Sequence, residues 1–302
     1  MMRALNLRGD VAAYGETGFW GIKHSKLDEK AERSEIDKIA NIYGNTAFHP
    51  VGDTEGSLPI SSKEIASAIE DSVKKLPDYS SATDIFLTMG NAVAKVCSRE
   101  VWVEKTPHHL MHLDRIIGLD NNARIVILIR NPYDFLLSYK HQGDRKPEAV
   151  KRNFQNLYHP ILASLICRKY LVAAIEALER YPENVILIKL EDINENPKAE
   201  LSKVYRHFML PLFDGLLFPK SNSSFRDLKE KPHLSRVEIF WLKLFVGKHI
   251  NKTSYKLGEG QIDIFGVIRS VLSLIIWPFK NASLLMRMRS KLGSMISRWL
   301  TK

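Results

Sequence analysis

The sequence predicts an α/β fold built on a doubly wound parallel sheet. Short apolar runs rich in β-branched residues alternate along the chain with longer segments in which apolar residues recur at helical spacing. This alternation is typical of parallel strands joined by crossover helices. The runs at 124–129 and 185–189 are almost continuously apolar, as expected for strands covered on both faces. The 302 residues, 45% of them hydrophobic, are enough for a substantial core.

The elements follow in order along the chain. Strands are predicted at 11–14, 101–103, 124–129 and 185–189. Helices are predicted where the apolar spacing is three or four residues, at 61–75, 84–97, 108–119, 133–140, 157–180 and 197–208. The polar stretches 28–58 and 221–233 are predicted to be an insertion or loops, because they lack a continuous apolar pattern.

Charge and cysteine content limit the partners and the compartment. The chain has 44 Lys and Arg against 34 Asp and Glu, a net charge of +10, which favours anionic partners such as phosphorylated cofactors, acidic glycans or anionic lipid. Nucleic acid is not expected, because the basic residues are not interleaved with an aromatic platform. Two cysteines exclude a disulfide framework and indicate a reducing compartment. We therefore expect a cytoplasmic protein.

The C-terminal part differs in composition from the rest. We predict an α/β domain over 1–260 and a basic amphipathic helical segment over 261–302. Residues 264–279 are strongly apolar but are interrupted by Arg269, and from 264 to the end there are seven Lys and Arg and no Asp or Glu. One interpretation is a segment lying on an anionic membrane surface, which would make the protein peripherally membrane-associated. The other is a pair of helices packed on the domain.

Charged and hydroxyl side chains follow the predicted strands. Lys105 comes after the strand at 101–103, and Arg130 comes directly after the strand at 124–129, with Ser138 about two helical turns further on. Because α/β sheets bind ligands at the carboxyl ends of their strands, a guanidinium and a hydroxyl there predict a phosphate site. Taken alone, the strand followed by Arg130 and Ser138 fits an ordinary strand–helix junction equally well.

The motifs taken together resemble a known family. In order they read Lys-Thr-Pro at 105–107, Arg-Asn-Pro-Tyr-Asp from Arg130 with Ser138 following, and Leu-Glu-Asp-Ile at 190–193 with Asn-Pro after it. This order resembles the sulfotransferase superfamily, especially its protein-tyrosine and bacterial carbohydrate branches, and covers residues 2–213. The resemblance implies a three-layer, P-loop-NTPase-like parallel sheet flanked by helices, with helices at the C-terminus.

The resemblance also implies roles for individual residues. Arg130 and Ser138 match the pair that binds the 3′-phosphate of 3′-phosphoadenosine 5′-phosphosulfate (PAPS), the activated sulfate donor. Lys105 matches the lysine that contacts the donor and stabilises charge on the transferring group. Glu16 follows a glycine, as does the general base of the tyrosine branch, and is the candidate base. Glu191 is expected to be structural, and no metal is required.

One part of the family pattern is not found in this sequence. The first strand of the family and its glycine-rich loop, which binds the 5′-phosphosulfate, precede the segment that matches here from Met2 onward. We therefore expect a chain that lacks this strand and loop, either as a fragment of a longer protein or as a form that has lost them and its activity.

Two functions follow from these observations. The first is a PAPS-dependent sulfotransferase acting on a hydroxyl-bearing acceptor, with a glycan or lipid-linked sugar favoured and Phe19, Trp20 and residues 28–58 and 141–147 expected to line the acceptor pocket. The alternative is a catalytically inactive remnant of that fold that binds membrane or polyanion. His108 and His112 stand four residues apart, but no further ligand set accompanies them, so no metal site is expected.

Overall fold

The computed structural model describes residues 1–21, 30–119, 122–144, 146–213, 232–257 and 263–281. Its strands are β1 (Val11–Gly15), β2 (Val101–Lys105), β3 (Ile125–Ile129) and β4 (Val185–Lys189). Its helices are α1 (Met2–Asn6), α2 (Arg33–Gly44), α3 (Ser62–Lys74), α4 (Ala82–Val96), α5 (Leu113–Leu119), α6 (Pro132–Lys140), α7 (Glu148–Leu157), α8 (Pro160–Arg180), α9 (Leu190–Glu195), α10 (Pro197–His207), α11 (Arg236–Ile250) and α12 (Ile264–Lys280). All four predicted strands are present, and the α/β fold class is confirmed.

The chain forms two compact units. The first comprises Met1–Ile127, Ala177–Ile188 and Asp192–Ser221, and the second comprises Leu128–Glu176, Lys189–Glu191 and Asn222–Lys302. Within the described residues, the first unit holds α1 to α5, β1, β2 and α10, and the second holds α6, α7, most of α8, α11 and α12. The division into a domain over 1–260 and a segment over 261–302 stays a prediction.

Strand β1 is the most deeply buried element of the first unit. It runs parallel to β2, with Val11 opposite Val101 and Gly15 opposite Lys105. Successive side chains of a strand point to opposite faces, and β1 is covered on both. Ala12 and Tyr14 belong to a core cluster with α2, α3 and α4, whereas Val11 and Ala13 belong to a second cluster with α1 and α10.

Helix α2 corrects the prediction of an insertion or loop over 28–58. Its mean hydropathy is low, but Ile36, Ile39, Ala40 and Tyr43 recur at helical spacing and are buried. Helix α2 packs against α3, and α3 packs against α4. The apolar stripe was missed because a majority of polar residues surrounds it. Residues 22–29 of the neighbouring sequence and most of the predicted loop at 221–233 lie outside the described residues.

A second correction concerns the helix predicted over 157–180. In the structure α7 ends at Leu157 and α8 begins at Pro160. Proline has no backbone N–H and its ring clashes with the preceding turn, so it is favoured in the first turn of a helix and costly in the interior. No helix in the described part of the chain is long and apolar enough to cross a membrane.

The described residues form two two-stranded sheets, β1 with β2 and β3 with β4. In the part of the chain that the structure describes, side-chain and backbone contacts, and not another strand, close the edge of β1 that faces away from β2. The side chain of Asn6 accepts a hydrogen bond from Ala13 N (2.6 Å) and donates to Ala13 O (3.0 Å). Next to it, Gly15 and His49 exchange two backbone hydrogen bonds of 2.8 and 2.9 Å. These contacts satisfy backbone groups that burial would otherwise leave unpaired.

Strand β3 is less well covered than its sequence predicts. Leu128, the fourth of its five residues, is exposed, so the expected burial of both faces does not hold at this position. Within the described residues β3 pairs with β4 along one edge only. A strand with neighbours on one side has fewer adjacent side chains to cover its faces.

Replacing Asn6 tests how much the closed edge of β1 contributes to the stability of the protein. The Asn6→Ala variant leaves the buried N–H and C=O of Ala13 without partners, and we expect the free energy of unfolding to fall by about 2–3 kcal/mol. Urea denaturation followed by circular dichroism measures the loss. Asn45→Ala is the control, since Asn45 is exposed and bonds only within its own helical turn. Equal stability of the two variants would contradict the role given to Asn6.

Candidate active site

Glu16 and Lys105 lie side by side at the carboxyl ends of β1 and β2. Lys105 is the last residue of β2 and stands opposite Gly15 in the parallel register. Glu16 follows Gly15 directly, and its carboxylate accepts a hydrogen bond from the Lys105 ammonium as part of an ion pair. Both side chains are exposed. The structure therefore brings together the predicted base and the predicted charge-stabilising lysine where a substrate can reach them.

Gly15 permits the close approach of the two strands at this point. A Cβ atom on residue 15 would lie 2.5 Å from the carbonyl oxygen of Lys105, which is inside van der Waals contact. Any other residue would push the strand ends apart. The Gly-Glu sequence therefore has a steric reason as well as a chemical one, because the glycine allows the glutamate to sit beside the lysine.

A buried carboxylate fixes the two loops that leave these strands. Glu104 Oε1 accepts hydrogen bonds from Thr17 N (3.0 Å), Thr17 Oγ1 (2.8 Å) and Thr106 Oγ1 (2.5 Å). Its other oxygen lies 3.0 Å from His109 Nδ1. Thr17 follows β1, whereas Thr106 and His109 follow β2. Glu104 thus ties the segment after Glu16 to the segment after Lys105.

The hydrogen bonds keep the Glu104 carboxyl ionised. Burial is the largest influence on its pKa and acts to raise it, since only 3% of the side chain is exposed. The hydrogen bond and charge of His109, with the bonds from Thr106 and Thr17, outweigh burial and leave the pKa below its usual value. The group is therefore a fixed negative charge beside the exposed pair.

Sequence reasoning missed this network. Glu104 was visible only as a second carboxylate near Lys105, and His109 as one of three clustered histidines. The alternation of side chains along β2 indicates that Glu104 points inward. Lys105 points outward at the strand end, so its neighbour Glu104 must point to the other face. No group of three or more metal-ligating side chains occurs among the residues that the structure describes.

Phe19 and Trp20 are not exposed as an acceptor lining would be. Both are buried, and their rings lie 5.1 and 5.4 Å from that of Phe86 in the core of the first unit. The expectation that these two residues line the acceptor pocket is wrong. They sit in a short 3-10 helix directly after the Glu16 segment, and burial of their rings in the core stabilises that segment.

Arg130 stands at the corresponding position in the second unit. It follows the last residue of β3, and α6 begins two residues later at Pro132 with Asn131 as its N-cap. Ser138 lies on α6 about two turns further on. The two residues thus occupy the strand–helix junction that the sequence predicts. Their assignment to one site with Lys105, which belongs to the first unit, stays a prediction.

Glu191 holds the backbone directly after Arg130. Its Oε1 accepts a hydrogen bond from Asn131 N at 2.9 Å, and its Oε2 accepts one from the Tyr255 hydroxyl at 2.5 Å. Tyr255 also packs under the ammonium of Lys189, 5.1 Å from the ring centroid. Both oxygens of the carboxylate are engaged by the protein, which fits the structural role expected for Glu191.

The fold and these two junctions define a class of protein. Parallel strands that end in an accessible Glu–Lys pair, and a further strand that ends in an arginine before a helix, are typical of α/β proteins that bind ligands at the carboxyl ends of their strands. The chain belongs to the sulfotransferase family, whose model matches residues 9–214. None of the curated proteins matches the sequence.

Two solved sulfotransferase domains resemble the structure. The domain from the curacin biosynthetic pathway aligns with a TM-score of 0.49 and 15% identity, covering 85% of this chain and 93% of that domain. The domain from the Synechococcus PCC 7002 olefin synthase aligns with a TM-score of 0.52 and 15% identity, covering 85% of this chain and 90% of that domain. The second likeness shows a shared fold and confirms the P-loop-like class.

Removing the Glu104 carboxylate tests the buried network. In Glu104→Ala the partners of a buried charge are left unsatisfied, and we expect the free energy of unfolding at pH 7 to fall by about 3 kcal/mol. Urea denaturation measures it, with the exposed Glu100→Ala as control.

The pH dependence of that loss has a definite sign. Because the folded-state pKa of Glu104 is lowered, its contribution is complete at neutral pH and is lost as the pH falls below about 4.5 through the folded-state value. The difference in stability between wild type and Glu104→Ala should therefore narrow in acid. A difference that stays constant down to the acid transition would contradict an ionised Glu104.

Proposed function

We propose that this chain transfers a sulfuryl group from PAPS to the hydroxyl group of an acceptor, with Glu16 as the general base. The observation that carries the proposal is the contact of Glu16 with Lys105 at the ends of adjacent parallel strands, in a chain of the sulfotransferase family. Family membership supports sulfuryl transfer, and the contact supports the particular base.

The residues present suit a polyanionic donor. When bound, PAPS supplies an activated sulfuryl group next to a phosphate that leaves. Arg130 offers a guanidinium and Ser138 a hydroxyl for the 3′-phosphate, and guanidinium–phosphate hydrogen bonds are among the strongest available to a protein. Lys105 offers an ammonium for the group being transferred. The net charge of +10 also favours the approach of an anionic donor.

Glu16 and Lys105 have complementary tasks in this proposal. The Glu16 carboxylate takes the proton from the acceptor hydroxyl as its oxygen attacks. Lys105 donates a hydrogen bond to the oxygen on which negative charge develops. An ammonium has three N–H donors, so Lys105 can keep its bond to Glu16 and still serve the donor. Glu104 and its hydrogen-bond partners hold the loops after Glu16 and Lys105 in place during the transfer.

We propose a glycan or lipid-linked sugar as the acceptor class. A sugar hydroxyl has a high pKa and needs a base for attack, which suits the exposed carboxylate of Glu16. The position of Glu16 beyond the end of β1, facing solvent, leaves room for a bulky acceptor.

The base is tested by Glu16→Gln. We expect turnover to fall about a hundredfold or more while donor affinity changes little, because general-base catalysis contributes roughly that factor. Transfer of radiolabelled sulfate from PAPS to p-nitrophenyl glycosides measures turnover, with the exposed Glu55→Gln as control. Normal turnover in Glu16→Gln would remove Glu16 from the mechanism. A wild-type chain that binds the donor and transfers no sulfate to any acceptor would favour a binding protein.

The donor site is tested by Arg130→Ala. Losing a charge-assisted phosphate contact should weaken binding of 3′,5′-adenosine bisphosphate, the desulfated donor, by about 30- to 100-fold. Isothermal titration calorimetry measures the affinity. Arg124→Ala is the matched control, because Arg124 stands at the opposite end of β3 and donates to the carbonyl of Glu183. Unchanged affinity in Arg130→Ala, or equal losses in both variants, would contradict the assignment.

A further inference from the structure

Helix α12 presents an apolar face that the described residues of its own unit leave uncovered. Its large exposed hydrophobic residues have between 44% and 88% of their surface accessible. They are Ile264, Phe265, Ile268, Val271, Leu272, Ile275, Ile276 and Phe279. At about 100° of rotation per residue, all eight fall within an arc of roughly 140°. Contiguous apolar surfaces of this kind on a soluble protein mark a site of interaction.

The opposite face of α12 is fastened to the second unit by polar contacts. Ser270 Oγ accepts a hydrogen bond from Trp241 Nε1 at 2.8 Å, and Ser273 Oγ lies 2.9 Å from His159 Nε2. At its end, Asn281 Nδ2 donates to Asn156 O at 3.1 Å. Helix α12 is therefore held with its apolar face outward, and turning that face inward would break all three contacts.

The charge around α12 indicates what covers this face. Asp263 caps the helix by accepting a hydrogen bond from Gly266 N at 2.9 Å, and it is the last acidic residue of the chain. Seven Lys and Arg follow it. Two of these, Arg269 and Lys280, are exposed on α12 and lie at about 140–160°, beside one border of the apolar arc. An apolar stripe bordered by cations is complementary to a surface that is anionic outside and hydrocarbon inside.

We propose that α12 docks on an anionic lipid surface, with its axis in the plane of the surface. The eight apolar side chains enter the boundary between headgroups and acyl chains, and Arg269 and Lys280 contact the anionic headgroups. The three polar contacts keep the second unit attached on the side away from the lipid. This inference rests on α12 alone and holds whether or not the chain transfers sulfate.

Vesicle co-sedimentation of the full chain tests the proposal. We expect the protein to sediment with vesicles of phosphatidylcholine and phosphatidylglycerol in equal amounts at low salt, to bind weakly to pure phosphatidylcholine, and to be released by salt. Protein that stays in the supernatant with the anionic vesicles would overturn the proposal. So would equal binding to both vesicle types, since it would remove the role of charge.

Two variants separate the apolar and the ionic contributions. Leu272→Ser with Ile275→Ser should lower the partition onto anionic vesicles about tenfold, since two apolar side chains are withdrawn from the lipid. Arg269→Gln with Lys280→Gln should lower it by a similar factor and reduce its salt dependence. The matched control is Met209→Ser with Leu212→Ser, because these residues are 78% and 61% exposed, against 57% and 64% for Leu272 and Ile275.

Light scattering after size-exclusion chromatography, without lipid, tests whether a second copy of the chain, and not lipid, covers the apolar face of α12. A wild-type dimer that Leu272→Ser with Ile275→Ser converts to monomer would assign the face to self-association and overturn lipid docking. Far-ultraviolet circular dichroism checks that every variant is folded. If a Ser variant is not, Leu272→Ala with Ile275→Ala takes its place, and an unchanged partition in a folded variant contradicts the proposal.

Discussion

The ionised carboxylate of Glu104 ties together two loops that are far apart in the sequence. Thr17 and Glu104 are 87 residues apart, yet the backbone and hydroxyl of one bind the same oxygen of the other. A charge can stay in the interior only when enough donors surround it, so the donors from Thr17, Thr106 and His109 must all be in place before the site forms. The positions of Glu16 and Lys105 depend on that condition, because each stands next to one of the fixed loops.

The backbone of the first unit also helps to hold Glu16 and Lys105 in position. Small residues in β1 let helices pack closely on both of its faces, and Gly15 lets its end approach β2. On the face that also carries α2 and α3, α4 comes so near β2 that a Cβ on Gly90 would lie 2.1 Å from the Trp102 ring. Close packing of this kind has few alternative arrangements, which explains how two exposed, flexible side chains are kept in contact without being buried themselves.

Local patterns predicted the four strands, several of the helices between them and the residues at the strand ends, because each depends on neighbours within a few positions of the chain. The stripe of α2 was present in the sequence but was hidden by low mean hydropathy. The alternation of β2 indicates that Glu104 points inward, but neither its partner Thr17 nor the contact of Asn6 with Ala13 could be read from the sequence, since an asparagine or a glutamate beside an apolar run is equally common on a surface. Phe19 and Trp20 were assigned to a pocket although they lie in the core, because aromatic residues occur in both places.

The closed edge of β1 also bears on how the protein behaves at high concentration. A strand edge with unpaired N–H and C=O groups is a template to which a strand of another molecule can add, and fibrillar aggregation begins in this way. Here a single side-chain amide and a two-residue backbone bridge occupy those groups at Ala13 and Gly15. The residues they protect, Val-Ala-Ala-Tyr, are uncharged and strongly apolar. In the folded protein the amide of Asn6 and the bridge to His49 therefore leave the backbone groups of Ala13 and Gly15 unavailable to a strand of another molecule.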